Sequence, residues 1–162
     1  MIRHAEAEEP VEAARAQRND RERCLTESGK RDMRKGAQGL TTLVDDIQLI
    51  LTSPLKRALE TAEILQRAFP GAKLKQHALL APGFDPAELL ESLTGESGAV
   101  ALVGHEPDLS QWVGYMTTGM SRSVVRMKKG SVCRLDMPEP ALPGEACIAW
   151  LLTLKQLARL AP

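Results

Sequence analysis

The sequence predicts an α/β fold, a three-layer α/β/α sandwich around a mixed, mostly parallel sheet, and three observations predict it. Short runs of aliphatic and β-branched residues are apolar on both faces, as in strands covered by helices on either side. Between them lie segments of roughly ten to fifteen residues with a helical period, the alternation that builds parallel sheets. The last two apolar runs are joined by a proline-rich connection suited to a hairpin, which makes one edge of the sheet antiparallel.

Taken in order, Met1 and Ile2 supply a very short first strand before Arg3. A helix follows over 27–44 in spite of Gly29, Gly36 and Gly39, each of which costs a helix interior ~1 kcal/mol relative to alanine. Residues 47–51 read as a strand. The helix over 54–68 shows Leu55, Ala58, Leu59, Ala62 and Leu65 on one stripe, with Ser53 as expected N-cap and Pro54 at its first position. Leu74, Lys75 and Gln76 form a short candidate strand, and His77 after it is expected to be a surface or structural residue. Asp85 as N-cap, Pro86 at N1 and Glu88 at N3 open a helix through about residue 93, which Gly95 ends. A strand over 100–103 leads to a helix that starts after Pro107 and runs to Thr118, with Trp112 and Tyr115 in core packing. Strands over 132–135 and 147–152 flank the connection 137–146, which holds three prolines and a glycine. With 162 residues and no linker or internal repeat, one domain over 1–162 is expected.

Composition narrows the function. Apolar residues make up 43% and charged residues 26%, values of a globular chain that buries a core. Lys plus Arg equal Asp plus Glu at 21 each, so no global field exists to hold a polyanion or an anionic membrane surface, and any anion site is local. Two Trp, one Tyr and two Phe are too few for base-stacking platforms, which argues against nucleic acid as a partner. Cys24, Cys133 and Cys147 lack CxxC spacing, so neither a disulfide framework nor a zinc cluster is expected, and a reducing cytoplasm fits. No apolar h-region of roughly 7–15 residues opens the chain, and no run of about 18 apolar residues occurs, so neither a signal peptide nor a membrane span is expected.

In open α/β sheets ligands bind beyond the carboxyl ends of the strands. Those ends carry Arg3-His4, Ser53-Pro54-Leu55-Lys56-Arg57 and Gly104-His105-Glu106-Pro107. Singly, each residue has an ordinary explanation as a solvated charge or a hydrogen-bonded structural histidine. Jointly, three loops that all bring cationic or imidazole groups, with no paired carboxylate among them, point to an anion site. Phosphoryl transfer fits such a set, because its catalysis is mostly positioning and positive charge. Arg3 and Arg57 offer planar forks for phosphoryl oxygens, and a neutral imidazole can attack phosphorus and later release it to water. His4 is the candidate nucleophile and His105 a positively charged or hydrogen-bonding partner, although spacing alone leaves the order of these roles open. Glu6, Glu8 and Glu9 near His4 form no metal-ligand spacing, so no metal and no cofactor are expected.

Arg3-His4-Ala5 resembles the RHG or RHA signature of the histidine phosphatase superfamily, residues 53–58 resemble its SPxxRA segment, and residues 103–107 resemble its second-histidine GH motif. Residues 23–29 are similar to an RxLTxxG element, and Gly130-Ser131-Val132 precede a late strand. The ordered set resembles the short SixA-type phosphohistidine phosphatases over nearly the whole chain. The resemblance implies a phosphoglycerate-mutase-like fold and phosphorylation of His4 during turnover. It implies that His105 lies opposite and that Arg3, Arg57 and Arg23 bind phosphoryl oxygens, with Arg23 ranked above Arg21. It also implies a metal-independent phosphatase that meets phosphate and a phosphohistidine-bearing phosphotransfer protein, the latter in a signalling or transport system.

The chain departs from the family pattern at two points. Where a full strand normally precedes the RHA element, only Met1 and Ile2 stand, so either the natural start lies upstream or the strand is very short. Where many members carry a glutamate general acid, this chain reads Leu80-Ala81-Pro82-Gly83-Phe84-Asp85, and Asp85 is better explained as a helix cap, leaving Glu106 as a weak acid candidate. The competing readings are a small-molecule phosphomonoesterase of the same superfamily, a catalytically weak phosphate-binding module, and a metal-dependent hydrolase.

Overall fold

In a computed structural model that describes residues 1–162, the elements along the chain are β1 (Ile2–Arg3), α1 (Pro10–Arg15), a 3-10 turn at Asp20–Glu22 and α2 (Glu27–Leu40). Then come β2 (Leu49–Thr52), α3 (Lys56–Ala68), β3 (Lys73–Gln76), a second 3-10 turn at Ala78–Leu80, and α4 (Pro86–Ser92). The chain closes with β4 (Val100–Gly104), α5 (Asp108–Thr118), β5 (Val132–Asp136), β6 (Cys147–Leu152) and α6 (Leu154–Ala158). The six strands form one sheet in the order β3-β2-β4-β1-β5-β6. β3, β2, β4 and β1 run parallel, and β5 is antiparallel to both β1 and β6, so the sheet is mixed and mostly parallel.

Side-chain alternation along the strands divides the core into two layers. Ile2, Ile50, Ala101 and Val103 join the larger cluster, where Met33, Ala37 and Leu40 of α2, Ala58, Ala62 and Leu65 of α3, and Leu157 of α6 cover one face. Leu49, Leu51 and Leu102 point the other way, against Leu89 of α4 and Trp112 and Met116 of α5. This is the three-layer sandwich that the two-sided apolar strands predict. No helix is long and apolar enough to cross a membrane.

Local signals explain most boundaries. Asp85 caps α4 by accepting hydrogen bonds from the N–H groups of Ala87 and Glu88, with Pro86 in the first turn, as the sequence predicts. Three expectations need correction. Ser53 does not cap α3, which begins at Lys56 with Leu55 at the N-cap; its hydroxyl instead shares a hydrogen bond with His105 and accepts one from the Leu55 N–H. α2 stops at Leu40 rather than near residue 44, because the Thr41 and Thr42 hydroxyls donate to the carbonyls of Gln38 and Gly39 in its last turn. β6 is not covered on both faces: it is the sheet edge beyond β5, and Cys147, Ile148 and Ala149 lie exposed.

The glycines inside α2 mark close backbone approaches. A Cβ on Gly29 would stand 2.2 Å from the carbonyl oxygen of Glu6, and one on Gly39 would stand 1.8 Å from that of Leu157 in α6. The helix therefore accepts a loss of propensity to bring α6 and the segment after His4 into contact with it. Gly39→Ala is expected to lower the stability by ~1–3 kcal/mol in urea unfolding, since the backbone of α6 must move, whereas Gly71→Ala, with nothing near its Cβ, leaves it nearly unchanged.

Candidate active site

The parallel order β2-β4-β1 brings three carboxyl ends to one side of the sheet. Register then fixes the central pair: Arg3 lies opposite Gly104, so His4 and His105 leave neighbouring strands together. The His4 N–H donates to the Gly104 carbonyl at 3.1 Å, and the imidazole centroids are 5.1 Å apart with the rings tilted by 54°. The two-residue strand β1 suffices because it is pinned beyond its own length. Arg3 N–H donates to the Ser131 carbonyl, and Gly130, at a positive φ of 72°, donates to the carbonyls of Arg3 and His4. Behind His4, the Ala5 N–H donates to Thr61 Oγ1, which itself donates to the carbonyl of Arg57, tying the first loop to α3.

His4 is 6% exposed and His105 3%, so each imidazole shows little more than an edge to solvent. The Nδ1–H of His4 donates to the Ala5 carbonyl at 2.7 Å, which fixes the tautomer and leaves Nε2 with its lone pair. Burial lowers the pKa of His4 to about 4; the bond to Ala5 opposes this, and the charges of Arg57, Arg3 and Lys129 add to it. His105 falls to about 3, chiefly by burial and then through His4 and Arg57. Nε2 of His105 shares a 2.8 Å hydrogen bond with Ser53 Oγ, and its Nδ1 has no protein partner. Burial and the neighbouring charges thus disfavour the imidazolium form of both rings.

The arginines are held by backbone carbonyls and one carboxylate. Arg3 Nη1 donates to the Met127 carbonyl at 2.7 Å. Arg57, 5% exposed at the start of α3, donates from Nη1 to the Asp20 carbonyl at 2.8 Å, while its Nη2 lies 3.3 Å from Asp20 Oδ2. Burial pulls its guanidinium below the ordinary value, Asp20 opposes and Arg23 adds; an arginine nevertheless stays charged. Arg23 donates from Nε to Asp20 Oδ1 at 2.8 Å and from Nη1 to the Glu8 carbonyl at 2.7 Å. Its charge is felt by both Arg57 and His105. Arg21, two residues earlier, is exposed.

All five singled-out residues, Arg3, His4, Arg23, Arg57 and His105, therefore meet at one end of the sheet. The sequence reading missed Asp20 and misassigned Ser53. Asp20 had a local signal, the i, i+3 spacing to Arg23 inside an Asn19–Glu22 capping box. The pairing of Ser53 with His105 spans 52 residues and had none. Glu106 is engaged by the Ser110 hydroxyl, and no group of three His, Cys, Asp or Glu side chains is arranged to hold a metal ion. Lys129, which pairs with Glu9, adds positive charge beside His4.

The depressed histidines predict an acid-side loss of stability. An unfolded imidazole titrates near ~6.5. Between that pH and the folded values of about 4 and 3 the unfolded chain binds more protons, so stability is retained above the unfolded pKa and lost as pH falls towards the folded ones. The urea midpoint is expected to fall steadily from pH 7 to pH 4, and His4→Gln is expected to flatten that slope.

With this geometry in view, the comparisons with known proteins are consistent. The model of the histidine phosphatase superfamily (branch 1) matches residues 1–81. An uncharacterised protein of Picosynechococcus is 35% identical over 120 residues, which cover 72% of this chain and 73% of that one. Among solved structures, the protein histidine phosphatase SixA complexed with tungstate is similar in fold, with a TM-score of 0.80, 22% identity and 96% of each chain covered. A phosphoglycerate mutase from Plasmodium falciparum matches with a TM-score of 0.61 at 17% identity, over 77% of this chain and 83% of its own. Motifs, family model and fold agree, and the chain belongs to the histidine phosphatase superfamily, a family of phosphatases.

Proposed function

We propose that this protein is a metal-independent, cytoplasmic phosphohistidine phosphatase that passes the phosphoryl group through a covalent intermediate on His4, with a phosphohistidine-bearing phosphotransfer protein as substrate. The observation that carries the reading is the 2.7 Å bond from His4 Nδ1–H to the Ala5 carbonyl. It leaves the Nε2 lone pair unprotonated, as a nucleophile requires, on a ring that feels the charges of Arg57 and Arg3. In the first displacement Nε2 bonds to phosphorus as the P–N bond of the substrate breaks, and the substrate imidazole leaves with the proton it already carried. In the second, water oxygen bonds to phosphorus as the P–Nε2 bond breaks, returning neutral His4 and releasing phosphate, with the remaining proton passing to solvent. The guanidinium forks neutralise the charge on the equatorial oxygens, and His105 offers a hydrogen bond to one of them.

The choice of phosphohistidine is supported by where the nearby carboxyls are committed. Asp85 caps α4, Glu106 is held by Ser110, and Asp20 is paired with two arginines that, against the opposing effect of burial, keep its pKa below the ordinary value. Asp85 and Asp20 are thus not placed as the proton donor that an alkoxide leaving group needs and an imidazole does not, and Glu106 keeps only its buried Oε1 free of a partner. The positive charge that a metal supplies elsewhere is supplied by arginine. Cys24, Cys133 and Cys147 are unpaired, in keeping with a reducing compartment.

Brief reaction with a labelled phosphohistidine protein, acid-free quenching and peptide mapping is expected to place the label on His4; label on His105 or on a serine overturns the role assignment. Arg57→Lys is expected to lower kcat/KM on the order of a hundredfold with the fold intact, because an ammonium cannot reproduce the bidentate contact. Turnover is expected to persist in excess chelator and to favour the phosphohistidine protein over phosphoserine and sugar phosphates; a higher kcat/KM on a sugar phosphate assigns the chain to small-molecule phosphomonoesters instead.

A further inference from the structure

An anion already stands between two of the cations. Asp20, in the 3-10 turn before Arg23, lies with Oδ1 2.8 Å from Arg23 Nε and Oδ2 3.3 Å from Arg57 Nη2. Its backbone carbonyl separately holds Arg57 Nη1. The carboxylate therefore engages N–H donors on the two guanidiniums that would grip a phosphoryl group, while Arg57 Nε is buried without a protein partner. The members of this trio differ in freedom. Arg57 is locked, with its side chain 6% exposed, and that of Arg23 is 15% exposed, whereas the Asp20 side chain is 59% exposed. The cations cannot leave, but the carboxylate can rotate into water without burying a charge.

We infer that Asp20 is an internal competitor for the anion site: its carboxylate exchanges with the phosphoryl group for Arg57 and Arg23 and so limits how tightly free phosphate is retained. A phosphoryl dianion brings more charge than a carboxylate and also reaches Arg3, so it displaces Asp20 when delivered by a substrate. Once the phosphoryl group has become free phosphate, the returning carboxylate replaces its contacts and favours release. Asp20 is thus a positioning residue acting through the arginines. The inference rests on the proposed function only in taking those arginines as the phosphoryl-binding groups.

The test is titration of wild-type protein and Asp20→Asn with inorganic phosphate, by calorimetry, together with phosphate inhibition of aryl phosphate turnover. Asparagine keeps the shape, the backbone carbonyl on Arg57 and one oxygen acceptor, and loses the charge and the second acceptor. Phosphate is expected to bind Asp20→Asn about three- to tenfold more tightly, with the inhibition constant falling in parallel. Unchanged or weaker binding overturns the inference, and Asp20→Ser is read by the same criterion should the asparagine variant fold poorly. Damage to the site can only weaken binding, so a gain in affinity separates competition from a merely structural role. Because binding is read directly, tighter phosphate binding in a protein without phosphatase turnover upholds the competitor role while overturning the catalytic reading.

Discussion

The register of β1 against β4 is the constraint on which the site depends. Ile2 opposite Val103 and Arg3 opposite Gly104 put His4 and His105 side by side, with a backbone bond from His4 to Gly104 holding them there. A shift of one residue would turn His4 to the other face of the sheet and put Arg3 beside His105. So short a strand could slip, yet it is central, with a parallel neighbour on one side and an antiparallel neighbour on the other, and Ile2 is fully buried in the larger core cluster. Burial of that one side chain, worth ~1.5–3 kcal/mol, opposes any slip that would carry it out of the core. The position of His4 is thus an outcome of core packing two residues earlier on the same face of the strand.

Bringing three arginines and two histidines to one place carries an electrostatic cost that the protein meets in two ways. The histidines stay neutral, because burial and the neighbouring guanidiniums both disfavour the imidazolium. The arginines cannot do this, so they are anchored by backbone carbonyls of Met127, Asp20 and Glu8 and by a single carboxylate. Carbonyls hold a guanidinium without cancelling its charge. A site built with several acidic partners would be more comfortable and would have no potential left for a phosphoryl group.

Much of the fold was legible because it rests on periodicities. Two-sided apolar strands at 47–51 and 100–103, the stripe on α3 and the Asp85-Pro86 start of α4 all express local requirements that neighbouring residues must satisfy. Where the reading failed, a distant partner decided the outcome. Ser53 carries the chemistry of an N-cap but is drawn to a histidine on another strand, and β6 is as apolar as an inner strand but stands at the edge. The glycines of α2, which weaken a helix when viewed locally, are explained by the carbonyls of Glu6 and Leu157 lying against them. In the site, the charged and imidazole groups were legible because they follow strand ends. Asp20 offered only its i, i+3 spacing to Arg23, which resembles ordinary surface charge until Arg57 arrives from 37 residues away.

The two ends of the sheet show how little of the chain the chemistry requires. β3 and the outer half of β6 are exposed, and neither contributes to the site, which is confined to the carboxyl ends of β1, β2 and β4 and the turns before α2 and β5. Those connections are tied down by backbone hydrogen bonds: Gly130 to Arg3 and His4, Thr26 to Glu6, Glu8 to Cys24. The result is a first loop, from His4 to Glu8, stitched on both sides into the body of the protein, so His4 and the carbonyl that sets its tautomer belong to one rigid unit. The in-line displacement proposed for His4 would draw on that rigidity, because it needs Nε2, the phosphorus and the leaving atom to be collinear before the reaction begins. The stitching hydrogen bonds are therefore as much a part of the candidate site as the arginines.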